Sequence, residues 1–468
     1  MENIIQQIMV EFTEKFYKRI NNNEYLNLDI FTENILEDCK ETSVKMVSTF
    51  LEEINETVRK DKRNRKIYGL KIKEKDRSRE ILTPIGQLKF KRDYYYNECN
   101  DEYVYPLDKI IELDGYERLT KGISATLLNQ AATMSFGKSA EIVTKGAISR
   151  QTVKNKLVEV DIPLIKPPAE PRKVEEIHIY ADEDHVHMQK PNKEKGKQNK
   201  IVPLITLSEG REEISKSRNK LKNPIHFSDI NRKPVALWEE VCAYMEMAYE
   251  IEENSKIYIH GDGGKWIKSG NEVISKSIPV IDGFHIERIW KELNRIYKDK
   301  QYGKRIRAAL EKSDQKLVKE TLLKLRNEEG TEKEKARVEE IIKYIKNNIR
   351  AIISRYTKTA TGSCTEAQVS HILSERLSRS PMGWSKDGLS QMVKLRTYIK
   401  NGKKITRDSF KNNGSGSVLY KDYWNMYEEK LLSKKRNWQI FEKEDCNFAE
   451  QSATQILVNA YGKMYNPS

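Results

Sequence analysis

The sequence predicts a multidomain α+β protein, and three observations lead to that prediction. First, 468 residues correspond to about three folding units at roughly 100–200 residues each. Second, the hydrophobic pattern changes along the chain from helical spacing to strand alternation and back to helical spacing. Third, the segment DIPLIKPPAEPRKV at 161–174 is rich in proline, which is typical of a linker and a domain boundary.

The composition favours a nucleic-acid partner. Lys plus Arg is 84 and Asp plus Glu is 70, which gives a net charge of +14 and suits a polyanion. No run of about 18 apolar residues exists, and the N-terminus does not resemble a signal peptide, so we expect no membrane association. Five scattered cysteines without a CxxC motif argue against a zinc ribbon or a disulfide framework. A reducing, cytoplasmic compartment is therefore expected.

The N-terminal part of the chain is predicted to be helical at first and then to form β-hairpins. Residues 1–66 carry apolar side chains at helical spacing. Residues 67–115 alternate apolar and basic residues around a Pro84-Ile85-Gly86 turn, which is typical of a hairpin module. The basic face of this module could follow a phosphate backbone or could be an ordinary solvated surface.

Residues 116–160 are predicted to form a helix-turn-helix DNA-binding domain. Its second helix would begin after Ser149 as the N-cap and present Arg150, Gln151 and Lys154 on its first turns. Arg and Gln are suited to reading base edges, and Lys is suited to phosphate contacts. A plain helical bundle produces a similar pattern, so the positive net charge adds to the argument for DNA.

An α/β region follows the linker. Residues 175–285 contain three strands, then a helix, then two more strands, which is the order of an RNase H-like mixed sheet. Residues 286–356 are purely helical and hold 20 basic against 12 acidic residues, an excess of +8 that would suit a DNA-facing surface. Residues 357–405 would complete the α/β core with a further helix, and 406–468 form a basic C-terminal region.

Three acidic residues occupy positions where a fold could bring them together. Asp182 lies in the first strand of the α/β region, Asp262 ends a later strand, and Glu366 begins the helix after the helical segment. Three carboxylates are suited to holding two Mg²⁺ ions, which prefer oxygen ligands and stabilise both the attacking and the leaving oxygen in phosphodiester cleavage. A chain with 70 acidic residues offers many such sets, so the residue types alone leave the choice open.

Asp182 has competitors in its own strand. Asp184 shares the strand face of Asp182, so either carboxylate could be the ligand and the other a surface charge. His185 and His187 follow, and a zinc or manganese site that includes them is an alternative.

The other two acidic residues also have structural interpretations. Asp262 precedes two glycines and could belong to a tight turn. Glu366 lies three residues after Ser363, and this spacing is that of a helical capping box.

Several motifs, taken together, resemble one family. They are ILTPIGQLKFKRDYYY, AISRQTVKNK, IYADEDHVH, HGDGGKWI, VIDGFHIERIW and TEAQVSHILSERLSRSPMGWSKDGLSQMVKLRTYIKNG, in this order between about residues 80 and 405. The α/β region resembles the catalytic core of DDE transposases. More narrowly, the chain resembles the ISLre-type transposases of bacterial insertion sequences, with Mutator-like relatives.

The resemblance implies an RNase H-like catalytic core, with residues 286–356 as an all-α insertion. Asp182, Asp262 and Glu366 match the two Asp and one Glu that bind two Mg²⁺ or Mn²⁺ ions. Asp282 and His285 match an auxiliary D-x-x-H motif, in which the histidine would contact DNA or steady the metal site. The implied activity is cleavage at the ends of the element and joining of the freed 3′-hydroxyl to target DNA.

The expected partners are double-stranded DNA, namely terminal inverted repeats and target, and further copies of the chain. Holding two DNA ends together implies at least a dimer. Two other functions stay open: a domesticated DNA-binding regulator without catalysis, and a metal-dependent nuclease unrelated to mobility. The first would bind element ends without nicking them.

Overall fold

The structure is a computed structural model. It describes residues 2–189, 199–215, 218–252, 254–357, 364–380 and 382–410. These residues form two compact units, the first ending at Thr120 and the second beginning at Lys121. The predicted C-terminal region lies outside the described residues beyond Phe410. Among the described helices, none is both long and apolar enough to cross a membrane.

The first unit combines helices with a three-stranded antiparallel sheet. Its elements are α1 (Glu2–Asn21), α2 (Leu28–Lys60), α3 (Lys62–Ile67), β1 (Leu70–Thr83), β2 (Gly86–Asn97), β3 (Glu102–Val104) and α4 (Pro106–Ile110). Helix α2 packs on the sheet because Leu51 and Ile54 contact the buried cluster around Phe90. Pro84 and Ile85 form the turn between β1 and β2, so the hairpin that the sequence predicted is present.

The second unit begins with three short helices. They are α5 (Lys121–Ala131), α6 (Phe136–Thr144) and α7 (Arg150–Glu159). Lys145 and Gly146 have φ values of 50° and 80°, in the left-handed region that reverses the chain between α6 and α7. Val153 and Leu157 of α7 are fully buried, so one side of α7 packs inward and its N-terminus stays accessible.

A mixed five-stranded sheet is the centre of the second unit. The elements of this part are β4 (Arg172–Lys173), β5 (Glu176–His187), β6 (Asn199–Ser208), β7 (Arg211–Ser215), β8 (Arg218–Leu221), β9 (Ile225–Phe227), α8 (Pro234–Ala248), β10 (Tyr249–Glu250), β11 (Lys256–Gly261), α9 (Lys265–Val273) and β12 (Ile278–Ile281). The order in the sheet is β12-β11-β5-β6-β9. Strand β6 runs antiparallel to β5 and β9, whereas β11 runs parallel to β5 and β12.

The two faces of this sheet differ in chemistry. On one face, Ile177 and Ile179 of β5 pack against Trp238 of α8 in an apolar core. Because side chains alternate along a strand, Tyr180 and Asp182 lie on the opposite face. The polar face of the sheet therefore holds the carboxylate that the sequence analysis selected.

The helical segment after β12 is present as predicted. Its helices are α10 (Gly283–Ile296), α11 (Tyr302–Glu311), α12 (Gln315–Arg326), α13 (Glu332–Asn347) and α14 (Ile349–Tyr356), which we call the insertion. The predicted apolar stripes are buried in its core, with Ile286 and Leu293 from α10 and Val338 and Ile345 from α13. The remaining elements are α15 (Thr365–Val369), a π-helical turn (Ser370–Ser374), α16 (Glu375–Leu377) and α17 (Lys386–Lys400).

Two buried arginines connect the three short helices to the end of the α/β region. Arg376 donates to the carbonyl of Ala131 at 2.8 Å, and Arg396 donates to the carbonyls of Ala132 at 2.8 Å and Ile372 at 2.7 Å. Ala131 ends α5, so these cations satisfy carbonyls at a helix C-terminus, where positive charge is favourable. The helices α5–α7 and the α/β sheet thus share one compact unit.

Candidate active site

Asp182 lies near the middle of β5, on the polar face of the sheet. Its Oδ1 accepts a hydrogen bond from the backbone N–H of Glu183 at 2.8 Å. Burial raises the pKa of Asp182 to about 6, and the nearby charges of Asp262 and Asp282 add to the increase. His285 and the Glu183 N–H act in the opposite direction. Asp182 therefore lies close to Asp262 and Asp282.

Asp262 follows the last residue of β11. Because β11 runs parallel to β5, Asp262 comes to the same part of the sheet as Asp182. The Oδ1 of Asp262 accepts from the N–H of Gly264 at 2.8 Å, and Gly263 has a φ of 86°. The predicted tight turn is thus present, and it sets the position of the Asp262 carboxylate.

Tyr344 of the insertion contacts the turn at Asp262. The hydroxyl of Tyr344 in α13 donates to the carbonyl oxygen of Asp262 at 2.6 Å. Burial raises the pKa of Tyr344 well above its ordinary value, and the charges of Asp262 and Asp282 raise it further. Tyr344 was not selected from the sequence, because nothing local to it marks a contact with a turn 82 residues away.

Asp282 and His285 lie at the start of α10, directly after β12. Asp282 is buried and caps the helix by accepting from the N–H groups of Phe284 at 2.8 Å and His285 at 3.3 Å. The ring Nδ1 of His285 lies 3.4 Å from Asp282 Oδ1. The adjacent carboxylate of Asp282 raises the pKa of His285, and the charges of Asp262 and Asp182 contribute to the increase. The imidazole of His285 thus lies beside an acidic cluster.

Glu366 is placed differently from the two aspartates. It is the second residue of α15, and its side chain is exposed to solvent. The preceding residue, Thr365, is buried, and its hydroxyl donates to Asp282 Oδ2. Helix α15 also packs against β5. The structure therefore brings the helix of Glu366 to the acidic cluster through Thr365, a residue that the sequence analysis did not select.

The structure describes the start of α15 from Cys364 onward, so the predicted capping box of Ser363 and Glu366 stays a prediction. The N-cap residue is Cys364, and within the described residues no side chain makes the cap hydrogen bond. Ser363, the proposed partner, lies outside the described residues.

Asp184 and Glu375 have structural partners. Asp184 is buried, and its two carboxylate oxygens accept from the Ser378 hydroxyl at 3.0 and 2.9 Å. Glu375 pairs with Arg396, which lowers the pKa of Glu375.

The two histidines that follow in β5 are exposed. His185 and His187 are odd-numbered neighbours on the strand, so they lie on the face opposite to that of Asp182. The Nε2 of His185 lies 3.7 Å from Glu183 Oε1. This arrangement separates the histidines from the acidic cluster.

The carboxylate oxygens of Asp182 and Asp262 are the donor type that Mg²⁺ prefers. Burial is the main cause of the raised pKa of Asp182, and Asp262 lies close enough for its charge to add to the increase. Among the described residues, no three His, Cys, Asp or Glu side chains are close enough to form a metal site. Asp182 and Asp262 thus offer the oxygen donors that Mg²⁺ prefers, but with Glu366 exposed the three predicted carboxylates do not form a metal site in this structure.

The predicted DNA-reading helix has the expected N-cap. Ser149 Oγ accepts from the N–H of Thr152 at 3.3 Å, and Arg150 and Gln151 are exposed. Gln151 donates to Asn155 Oδ1 at 2.8 Å, one turn further along the same exposed face. Lys154 differs from the other three predicted residues, because it is half-buried.

The comparison with known proteins covers most of the chain. The model of the Uncharacterised protein family (UPF0236) matches residues 21–413. A UPF0236 protein of Caldanaerobacter subterraneus subsp. tengcongensis is 33% identical over 425 residues, which is 89% of this chain and 88% of that protein, and its name joins eleven loci. A second from the same organism is 32% identical over 423 residues, again 89% and 88% of the two chains. A UPF0236 protein in the vanSb 3′ region of Streptococcus gallolyticus is 23% identical over 394 residues, 80% of each chain.

Proposed function

The chain belongs to the Uncharacterised protein family (UPF0236), and from that premise we propose that it is a DDE transposase of a bacterial insertion sequence. The observation that carries the proposal is the meeting of Asp182 and Asp262 on adjacent parallel strands, beside Asp282 and His285. The name of one relative joins eleven loci of a single bacterium. Repetition at many loci is what an element that inserts copies of itself would produce.

The order of the sheet supports an RNase H-like core. Three antiparallel strands, β5, β6 and β9, come first, then helix α8, then the parallel strands β11 and β12. This is the order that the sequence analysis associated with such a core. The insertion would then follow the last strand, and Glu366 would come from the helix after the insertion.

In the proposed reaction, water attacks the phosphorus at the element end and the 3′-oxygen leaves. The freed 3′-hydroxyl then attacks a phosphorus of the target DNA, loses its proton and bonds to that phosphorus, while the bond from the phosphorus to the target's 3′-oxygen breaks and that oxygen leaves as a 3′-hydroxyl. Two Mg²⁺ or Mn²⁺ ions held by Asp182, Asp262 and Glu366 would supply charge neutralisation at the phosphate and its attacking and leaving oxygens. His285, which lies beside Asp282, would contact the DNA backbone or steady the metal site.

Helix α7 is proposed to recognise the terminal inverted repeats. Its exposed first turn carries Arg150 and Gln151, which match the donors that read guanine and adenine edges in the major groove. Since both DNA ends must be held together for joining, the active form is proposed to contain at least two chains.

The first prediction compares two aspartates of β5. The protein should nick a duplex carrying the inverted repeats that flank its gene when Mg²⁺ is present. Asp182→Asn should reduce nicking by at least about 10³-fold, because Asn lacks the charge that binds the cation. Asp184→Asn should retain nicking, because Asn can still accept from Ser378. Binding without nicking by the wild-type protein would instead indicate a regulator.

The same variant has a second readout that does not require cleavage. In EDTA, the unfolded Asp182 ionises near pH 3.8 and the folded one near 6. A raised folded pKa means that wild-type stability falls as pH rises through this window. Asp182→Asn removes this loss, so it should be more stable than wild type at pH 7.5 by about 1–3 kcal/mol and equally stable at pH 3. Denaturant unfolding at both pH values measures the difference, and equal stabilities at pH 7.5 would contradict the crowding of the carboxylates.

A further inference from the structure

Arg355, in the last turn of α14, lies directly over the start of α10. A Cβ atom built on Gly283 would be 2.2 Å from Nη2 and 2.6 Å from Cζ of Arg355. Gly283 is the residue that follows Asp282, so the guanidinium lies beside the turn that carries Asp282 and His285. Only glycine leaves room for this approach, since any side chain would occupy the position of the guanidinium.

Arg355 differs from Arg307, Arg326 and Arg337, which form ion pairs, and from the other described arginines of the insertion, which are exposed. Arg337 pairs with Glu292 at 2.8 Å, Arg326 pairs with Glu339 at 2.6 Å, and Arg307 pairs with Glu311 at 2.8 Å. Arg355 is half-buried, and no carboxylate among the described residues forms an ion pair with it.

Helix α14, which carries Arg355, is held by contacts at both of its ends. Its neighbour Tyr356 accepts a hydrogen bond from Trp290 Nε1 at 2.8 Å, which ties the end of α14 to α10. At the start of α14, Asn348 is buried, and a Cβ on Gly263 would be 2.3 Å from its Oδ1. Helix α14 therefore spans the turn after Asp262 and the turn after Asp282.

We propose that Arg355 binds a non-bridging oxygen of the DNA phosphate that is cleaved, and that one role of the insertion is to position Arg355 for this contact. This inference rests on the proposed function. Carboxylates alone repel a phosphodiester, and an arginine held next to them supplies a planar pair of N–H donors that matches phosphate oxygens. A cation held in place before the reaction stabilises the charge that develops on phosphorus oxygens.

The test uses the full-length protein and the duplex with its own inverted repeats. Arg355→Ala should lower the cleavage rate at saturating DNA by about 10²- to 10³-fold. Arg355→Lys should restore part of the rate, because it keeps the charge but not the planar donor pair. Arg350→Ala is the matched control on the same helix. Arg350 is exposed, so its variant should cleave saturating DNA within about twofold of wild type.

Gly283→Ala provides an independent way to move the guanidinium. The three atoms nearest to the new methyl group belong to the flexible end of Arg355, so the variant should fold and displace the guanidinium. We expect a cleavage rate between those of wild type and Arg355→Ala. Adding Gly283→Ala to Arg355→Ala should cause no further loss, since the two changes act on one group.

A binding measurement separates failure of this inference from failure of the proposed function. Loss of one phosphate contact should reduce the slope of log affinity against log salt by about 0.9 for duplex DNA, measured without divalent ions. If Arg355→Ala keeps both the wild-type slope and the wild-type cleavage rate while Asp182→Asn does not cleave, the role of Arg355 is wrong and the transposase proposal stands. If the wild-type protein neither binds nor cleaves the duplex, the proposed function fails, and the inference fails with it.

Discussion

Two helix N-termini carry predicted functional residues, and the structure builds them in different ways. Helix α7 begins with Ser149, whose hydroxyl accepts from the N–H of Thr152. Helix α15 begins with Cys364, and among the described residues no side chain caps it. The start of α15 is instead positioned by a hydrogen bond from the hydroxyl of Thr365 to Asp282.

The difference separates local from long-range placement. The cap of α7 involves residues three apart, so the first turn forms wherever the helix does. The contact that places α15 joins residues 83 apart, across the whole insertion. Helix α15 also has five residues and continues into a π-helical turn, a type of distortion that often occurs at functional sites. We therefore expect α7 to be tolerant of distant changes and α15 to be sensitive to them.

The largest expected effect concerns Glu366. Glu366→Gln should reduce nicking in Mg²⁺ by at least about 10³-fold while leaving binding of end DNA and stability unchanged, because an exposed Gln keeps the shape of Glu but lacks its charge. The matched control is Glu375→Gln on α16. That variant loses an ion pair with buried Arg396, so it should be less stable and still nick the DNA.

A nicking assay beside a denaturation curve for each variant distinguishes these outcomes. If Glu366→Gln nicks DNA at nearly the wild-type rate, Glu366 is not the third carboxylate. If Glu375→Gln instead loses nicking with unchanged stability, Glu375 takes that role.

Thr365 tests the long-range contact itself. Thr365→Val keeps the shape of a nearly fully buried residue but removes the hydrogen bond to Asp282. Loss of a buried hydrogen bond to a charged acceptor should cost about 1.5–3 kcal/mol of stability. Because α15 would lose its anchor, cleavage should also fall by at most about 100-fold, with binding of end DNA unchanged. Thr365→Ser restores the hydroxyl and should recover most of the cleavage rate, and a Ser variant as slow as Val would contradict the anchoring role.

The features that could be predicted from the sequence are those set by local spacing along a strand or a helix. The order of strands, the Ser149 cap and the apolar stripes around Ile286 and Val338 follow from local periodicity and spacing. The choice of Asp182 over Asp184 could not be made from alternation, because both residues share a face. The structure distinguishes them by partners, since Asp184 is occupied by Ser378.

The contacts that cross the insertion were not predictable from the sequence. Tyr344, Thr365 and Arg355 lie in ordinary helical patterns, and only the packing of α13, α14 and α15 brings them to the acidic cluster. Lys154 was placed with the DNA-reading residues because its spacing along α7 fits. The structure instead lays its side chain toward α17, where a Cβ on Gly388 would be 3.8 Å from Lys154 Cε.

The smallest expected effects concern Arg150 and Lys154 of α7, where we expect changes in DNA recognition rather than in cleavage. Arg150→Ala should cost about 1–3 kcal/mol of discrimination between end DNA and random DNA, because an exposed arginine at the start of a recognition helix can read a base edge. Lys154→Ala should change discrimination by less than about 0.5 kcal/mol, because its half-buried side chain packs beside α17. Competition binding with the two DNAs at one salt concentration measures both values. Both variants should cleave saturating DNA at the wild-type rate, since α7 carries no residue of the acidic cluster. Equal losses on the two DNAs for Arg150→Ala would make it a phosphate contact, and a larger loss of discrimination for Lys154→Ala would mean that α7 rotates away from α17 when it binds DNA.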